Sequence, residues 1–360
     1  MKRIPLAIAL GTSVVGLVAC FSDRPWIAPR LEGKLVMYRT ATPAQDFEAA
    51  RQLAWQAAVM VQHPPHPAET WQAAKVKWRQ AIRLLEDIPG DAAIASEVNK
   101  KRQIYSRNYA AINQRLAAEQ TAAANLELAQ TLAWQAAVTS QNPPHPLSVW
   151  QRASQRWQAA IALLESIPAT TSVFTQSQQK LLTYRNNQGA IQQRIVVEIR
   201  AQQLLQQFSQ TAAQLTELSA TAPVGITVEQ IGISYQTYAG LVQNLRTSLA
   251  QFANLPGARV HPIYRELRAA IADYDNALTL WHSYLDFQQA NAAWLFGDSF
   301  HQLFPLASPE TLALAQQYQL ETVPSQAMTP KISLKLSVWQ IWQQADKHVK
   351  QAQQQFPQSG

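Results

Sequence analysis

"RLAAEQTAAANLELAQTLAWQAAV", residues 115–138, contains neither proline nor glycine and lies where one half of a duplication runs into the other. Ala, Leu, Gln and Glu cost little in a helix interior, so summed propensity over the stretch is strongly helical. The surrounding run free of Pro and Gly extends from residue 91 to 142. The expectation is one continuous helix of about 45 residues, roughly 68 Å at 1.5 Å per residue. Shared by two units, with one short helix packed on each half, it gives a rod of three-helix bundles. A break near residues 122–125 would give a curled solenoid instead.

The duplication is read by sliding the chain on itself. At an offset of 79, residues 50–115 overlay 129–194 without a gap, with 31 of 66 positions identical. "LAWQAAV" at 53–59 returns at 132–138, and "PPHP" at 64–67 returns at 143–146. Trp55, Trp71, Trp78, Tyr105 and Asn108 match Trp134, Trp150, Trp157, Tyr184 and Asn187. Each unit reads as three helical segments. The first spans about 44–62, with Leu53, Ala54, Ala57, Ala58 and Val61 at helical spacing. Three prolines then block continuation. In the second segment, about 68–87, Trp71, Ala74, Trp78, Ala81, Ile82 and Leu85 form one apolar stripe. Ser148 and Gln151 have capping-box spacing at its second-copy start.

A degenerate third unit follows, with Pro256 in "LPGARVHPIYREL" placed like Pro89. A helix over about 227–254 precedes it, and His261-Pro262 opens its long helix. "LSVWQ" at 336–340 repeats 147–151, so a helix over about 337–354 with the same capping box at Ser337 and Gln340 is expected. "KISLKLSV" alternates apolar residues like a short strand without an evident partner. The fold class is therefore all-α, an elongated helical-repeat array. Its segments are 1–19 (signal peptide), 20–43 (anchor and linker), 44–125, 126–222 and 223–304 (three units) and 305–360 (C-terminal helical segment).

Composition narrows the function classes. With 47% hydrophobic and 15% charged residues the chain is not a disordered one. Its net charge of +7 is spread thinly, whereas a nucleic-acid binder concentrates charge on one stripe. The densest basic stretches, 75–79 and 99–103, read as a solvated face, with an anionic lipid surface as the alternative. At the N-terminus, Lys2 and Arg3 precede an apolar stretch over 4–19 that is short for a membrane span and fits a secretory segment. Leu17-Val18-Ala19-Cys20 resembles the lipobox of bacterial lipoproteins. The resemblance implies that Cys20, the sole cysteine, carries acyl chains and begins the mature protein, which stably anchors it. The Trp, Ile-Pro and Tyr-x-x-Asn series is similar to a helical repeat of cyanobacterial exported and membrane-associated proteins, related to tetratricopeptide repeats. That likeness covers about 45–200 well and 225–290 weakly. It implies a scaffold, and brings no catalytic residues.

Candidate chemistry is sparse. His63 and His66 flank two prolines in a turn, and Asn142 replaces His63 in the second copy, so His66 and His145 read as corner residues. A metal pair would want two histidines on one helical face. Tyr105 with Asn108, and Tyr184 with Asn187, are expected on the packed stripe, making an interhelical hydrogen bond that fixes register. Asp273 and Asp275 point to different helix faces and do not read as an acid–base pair. The tryptophans mostly read as core, and Trp26 fits a membrane interface. No P-loop, nucleophile elbow or dinucleotide fingerprint occurs. The expectation is a non-enzymatic scaffold without cofactor or metal, anchored on the periplasmic or lumenal side of an envelope membrane and engaging unknown protein partners. The alternative is an envelope glycan-binding or glycan-processing accessory protein.

Overall fold

The computed structural model describes residues 42–221, 231–291, 303–323 and 329–356. The chain is mostly helical, with three short strands among the described residues. Helix α1 (Pro43–Met60) opens on a capping box between Thr42 and Gln45, and α2 (Ala68–Glu86) follows the proline corner. Helix α3 (Ala95–Thr139) runs unbroken for 45 residues, so the break at 122–125 does not occur. Ala122 there is buried against the second unit, and nothing in its neighbourhood removes a helical hydrogen bond. Helix α4 (Leu147–Glu165) and the 48-residue α5 (Phe174–Thr221) complete the second unit. Each of α1 to α4 packs on the next helix in sequence.

The two units bury the same set of residues. Ala50, Ala54 and Ala57 of α1 face Trp71, Ala74, Trp78, Ala81 and Leu85 of α2, with Tyr105 and Ile112 of α3 closing the core. Ala129, Ala133, Ala136, Trp150, Ala153, Trp157, Ala160, Leu164, Tyr184 and Ile191 repeat this at the offset of 79. The alanine face lets the helix backbones approach closely, and the large indoles fill the remaining space from one side.

A carboxylate marks each joint. Glu119, buried halfway along α3, accepts hydrogen bonds from Ser172 N (3.0 Å) and Ser172 Oγ (2.8 Å), just ahead of α5. Its counterpart Glu198 on α5 is also buried and accepts from His261 Nε2 (3.3 Å). His261 is the N-cap of α7 (Pro262–Ala290), its Nδ1 accepting from Ile263 N. A buried anion beside a helix start is favourable because unpaired N–H groups gather there. Gly257, at φ +81°, makes the turn into this joint, and a side chain there would crowd Arg194 at 3.1 Å.

The C-terminal third is a larger core built from the second half of α5, α6 (Tyr235–Ala253), α7 and α9 (Leu334–Gln355), with α9 lying against both α7 and α5. Between α7 and α9 lie β1 (Leu303–Pro305), α8 (Pro309–Tyr318), β2 (Thr322–Val323) and β3 (Lys331–Ser333). The strands form an antiparallel sheet in the order β1-β3-β2. This corrects the reading of "KISLKLSV", whose first three residues find partners on both sides. The expected caps also shift. Ser333 caps α9 and leaves Ser337 buried inside it, while α4 starts behind Pro146 and takes Ser148 into its first turn. Preceding strand or proline backbone, already extended, supplies the break that the serine was expected to make. Helix α6 begins at Tyr235, with 231–234 outside the helix and 222–230 outside the described residues.

Candidate functional site

The repeated proline corner is closed on itself. His63 and Asn142 take left-handed backbone (φ 60° and 57°), a region in which His and Asn are enriched. The Pro64–Pro65 and Pro143–Pro144 bonds that follow are cis. His66 Nε2 donates to the Gln62 carbonyl at 2.7 Å, and Trp71 Nε1 donates to the His66 carbonyl at 2.9 Å. His145, Gln141 and Trp150 reproduce both bonds and the edge-on packing of imidazole against indole. One ring nitrogen of each histidine is thus engaged with the end of the preceding helix. Among the described residues no group of three or more His, Cys, Asp or Glu is placed to hold a metal ion.

The repeated aromatic and amide residues divide. Trp71, Trp78, Trp150 and Trp157 are core, and Tyr105 and Tyr184 pack edge-on against Trp78 and Trp157 at 5.2 and 5.1 Å. Burial pushes both tyrosine hydroxyls up from their ordinary pKa. Asn108 and Asn187 are exposed, which corrects the expected interhelical bond. Three residues past a central tyrosine, a side chain has rotated off the packed face. Trp55 and Trp134 are likewise not core. They are 68% and 67% exposed, because Ala54 and Ala133, one step back, take the inward position. Trp55 flanks a groove of about 460 Å³ that also involves Glu48, Arg51, Trp78, Lys101 and Tyr105. Glu127, Trp157, Lys180 and Tyr184 hold the equivalent positions around Trp134, with Gln130 for Arg51.

A second constellation, between α7, α8 and α9, was not visible in the sequence. Glu266 and Asp273 lie seven residues apart on α7, two turns along one face, and both are buried. His348 on α9 bridges them, with Nδ1 3.1 Å from Glu266 Oε2 and Nε2 3.8 Å from Asp273 Oδ2. Tyr318 donates to Asp273 Oδ1 at 2.6 Å and accepts from Asn276 Nδ2 at 2.8 Å. Burial raises the Asp273 carboxyl, and the hydrogen bond from Tyr318 and the electrostatic influence of His348 offset this only in part. Burial also acts to raise Glu266, but Arg265 and His348 outweigh it and hold its carboxyl below the ordinary 4.5. The Tyr318 hydroxyl is pushed upward by burial and by the Asp273 it contacts. Asp275 faces elsewhere and pairs with Arg246, as the spacing implied.

Asp273, Tyr318 and His348 form one wall of a cleft of about 770 Å³. Ser337 also lines it, but three turns of α9, roughly 16 Å, separate that hydroxyl from His348, too far for the histidine to activate it. Cys20 and Trp26 lie outside the described residues. Among the described residues no helix is long and apolar enough to cross a membrane. The site and fold define a mostly helical protein with a duplicated N-terminal half and a polar cleft near its C-terminus. No protein-family model, curated protein or solved structure matches the chain.

Proposed function

We propose that the protein is a non-enzymatic scaffold, exported and anchored through lipidated Cys20, whose matched aromatic faces dock a protein partner at a membrane surface. The observation that carries this reading is the exposure of Trp55 and Trp134 at the same position of two duplicated units. An indole left in water forgoes burial of about 150–250 Å². Isolated exposed apolar residues are ordinary, but here the same Trp, with Val59 and Val138 one turn on, is exposed twice, at Trp55 beside a groove and at Trp134 among equivalent residues. Tryptophan in such a setting is the residue type that anchors protein interfaces.

Two faces on units that share α3 would engage a partner bivalently, the second contact following at high effective concentration. The array itself is read as elongated. Ser172, at the start of α5, meets Glu119 halfway down α3, so α5 carries the axis onward from that level. Together the two helices extend on the order of 110 Å. The lipobox-like Leu17-Val18-Ala19-Cys20 supports the anchor and the tetratricopeptide-like repeat supports the scaffold.

A photo-crosslinking amino acid placed at 55 or 134 in intact cells tests the docking face. The same protein adduct is expected from both positions and none from the exposed helix positions 79 and 158. Equal adducts at all four, or none at 55 and 134, would contradict it. A clickable fatty acid tests the anchor, since Cys20→Ser should abolish labelling.

A further inference from the structure

The cleft beside Asp273 has a lining whose chemistry selects among ligand classes. Gln340, Gln343 and Gln344 of α9 and Gln317 and Gln319 at the end of α8 surround it. An amide can both donate and accept; that of Gln340 is already held, its Nε2 donating to the Tyr318 carbonyl at 2.7 Å. Charges of both signs are present, Asp273 and Glu321 against Lys347, with the His348 imidazole beside them. Trp339 supplies an aromatic wall, with Lys335 Nζ lying 4.6 Å from its ring centre.

Two buried polar atoms on this lining make no hydrogen bond, and they are complementary. Asp273 Oδ2 accepts no hydrogen bond, with His348 Nε2 standing off at 3.8 Å, and Trp339 Nε1 donates none. Buried polar groups of this kind are costly unless something pairs with them. Asp273 is itself more than nine-tenths buried and held in place by Tyr318. Oδ2 is therefore held in place by the bond at Oδ1, beyond hydrogen-bond reach of His348.

A phosphate or other anion would find donors but would meet Asp273 and Glu321. A metal cation would find carboxylates but would meet Lys347, in a place where no three ligating groups converge. An apolar ligand would bury amides against hydrocarbon, with only Leu336 and Trp339 to receive it. A neutral polyhydroxylated ring satisfies every part of the lining. Each hydroxyl donates and accepts at once, matching glutamine amides, a lone carboxylate oxygen and an indole N–H, and its ring carbons can lie against an aromatic side chain. The volume falls in the range of small-molecule sites. We infer that the cleft bounded by Asp273, Tyr318, Trp339 and the α9 glutamines is a binding site for a neutral saccharide. The inference stands apart from the docking faces on α1 and α3, which lie in other cores.

Saturation-transfer NMR on the full chain, with maltose, cellobiose and N,N′-diacetylchitobiose as probes, tests it. At least one should bind saturably at millimolar concentration or below. Gln344→Ala, on the half-buried rim, should weaken that binding by about fivefold, the loss expected for one hydrogen bond, while leaving thermal unfolding unchanged. Asp273→Asn should weaken it further. The inference is overturned if none of the three saccharides binds saturably, or if Gln344→Ala leaves their binding untouched. Inorganic phosphate or calcium binding that Gln344→Ala weakens, with no saccharide binding, would overturn it as well.

Discussion

Position 63 carries histidine and position 142 asparagine, yet both hold backbone φ near +60°. Left-handed backbone tolerates these two residue types and penalises branched ones, which accounts for the one difference within an otherwise identical corner. His63→Asn and Asn142→His should therefore change unfolding free energy by less than about 0.5 kcal/mol. His63→Val should cost about 1–3 kcal/mol in urea unfolding. Tryptophan shows the same dependence on position. Trp78→Ala removes a buried aromatic and should cost about 3–5 kcal/mol, whereas exposed Trp55→Ala should stay within about 0.5 kcal/mol. Thermal or urea melts of the two variants check this. The sequence made the buried stripe of α2 legible because its indoles recur at helical spacing. On α1 it did not, since "LAW" sets three apolar residues in a row and only the neighbouring helix decides that Ala54 turns inward.

At the scale of elements, continuity of α3 could be read directly from a run without Pro or Gly, but the joints could not. Glu119 reaches Ser172 across 53 residues, and no local pattern distinguishes it from an exposed glutamate on the same helix. Only its recurrence as Glu198 at the repeat offset carried a signal. Removing this acceptor strands a backbone N–H at the start of α5. Glu119→Ala should cost about 1.5–3 kcal/mol, the range for a hydrogen bond to a charged group, and Glu198→Ala a similar amount. The α7–α9 contact is equally non-local, with Glu266 and His348 separated by 82 residues. Because Glu266 sits below its ordinary pKa, it contributes stability above pH 4.5 that is lost as pH falls through its folded value. Asp273, raised above its ordinary 3.8, acts in the opposite sense: its penalty is present at neutral pH and is relieved as it protonates. Glu266→Gln should thus be less stable than wild type at neutral pH and converge with it in acid well below pH 4.5. A melting series against pH checks the convergence, and a constant gap would contradict it.

For the whole molecule, the duplicated half follows from sequence alone because 66 residues of helix and corner recur without a gap at an offset of 79. The C-terminal third resists such a reading. Its three strands are two or three residues long, and β3 takes partners 30 and 10 residues away at Ser333–Leu303 and Ile332–Thr322. Such short segments lack enough alternation to be told from loop. The account's central claim is that these units follow one another along α3 and α5 as an extended array. Small-angle X-ray scattering on the full 360-residue chain measures this most directly. A compact chain of 360 residues would have a radius of gyration of about 21 Å. The account predicts a value clearly above that, with a maximum dimension on the order of 100 Å or more. A radius of gyration near 21 Å would contradict it.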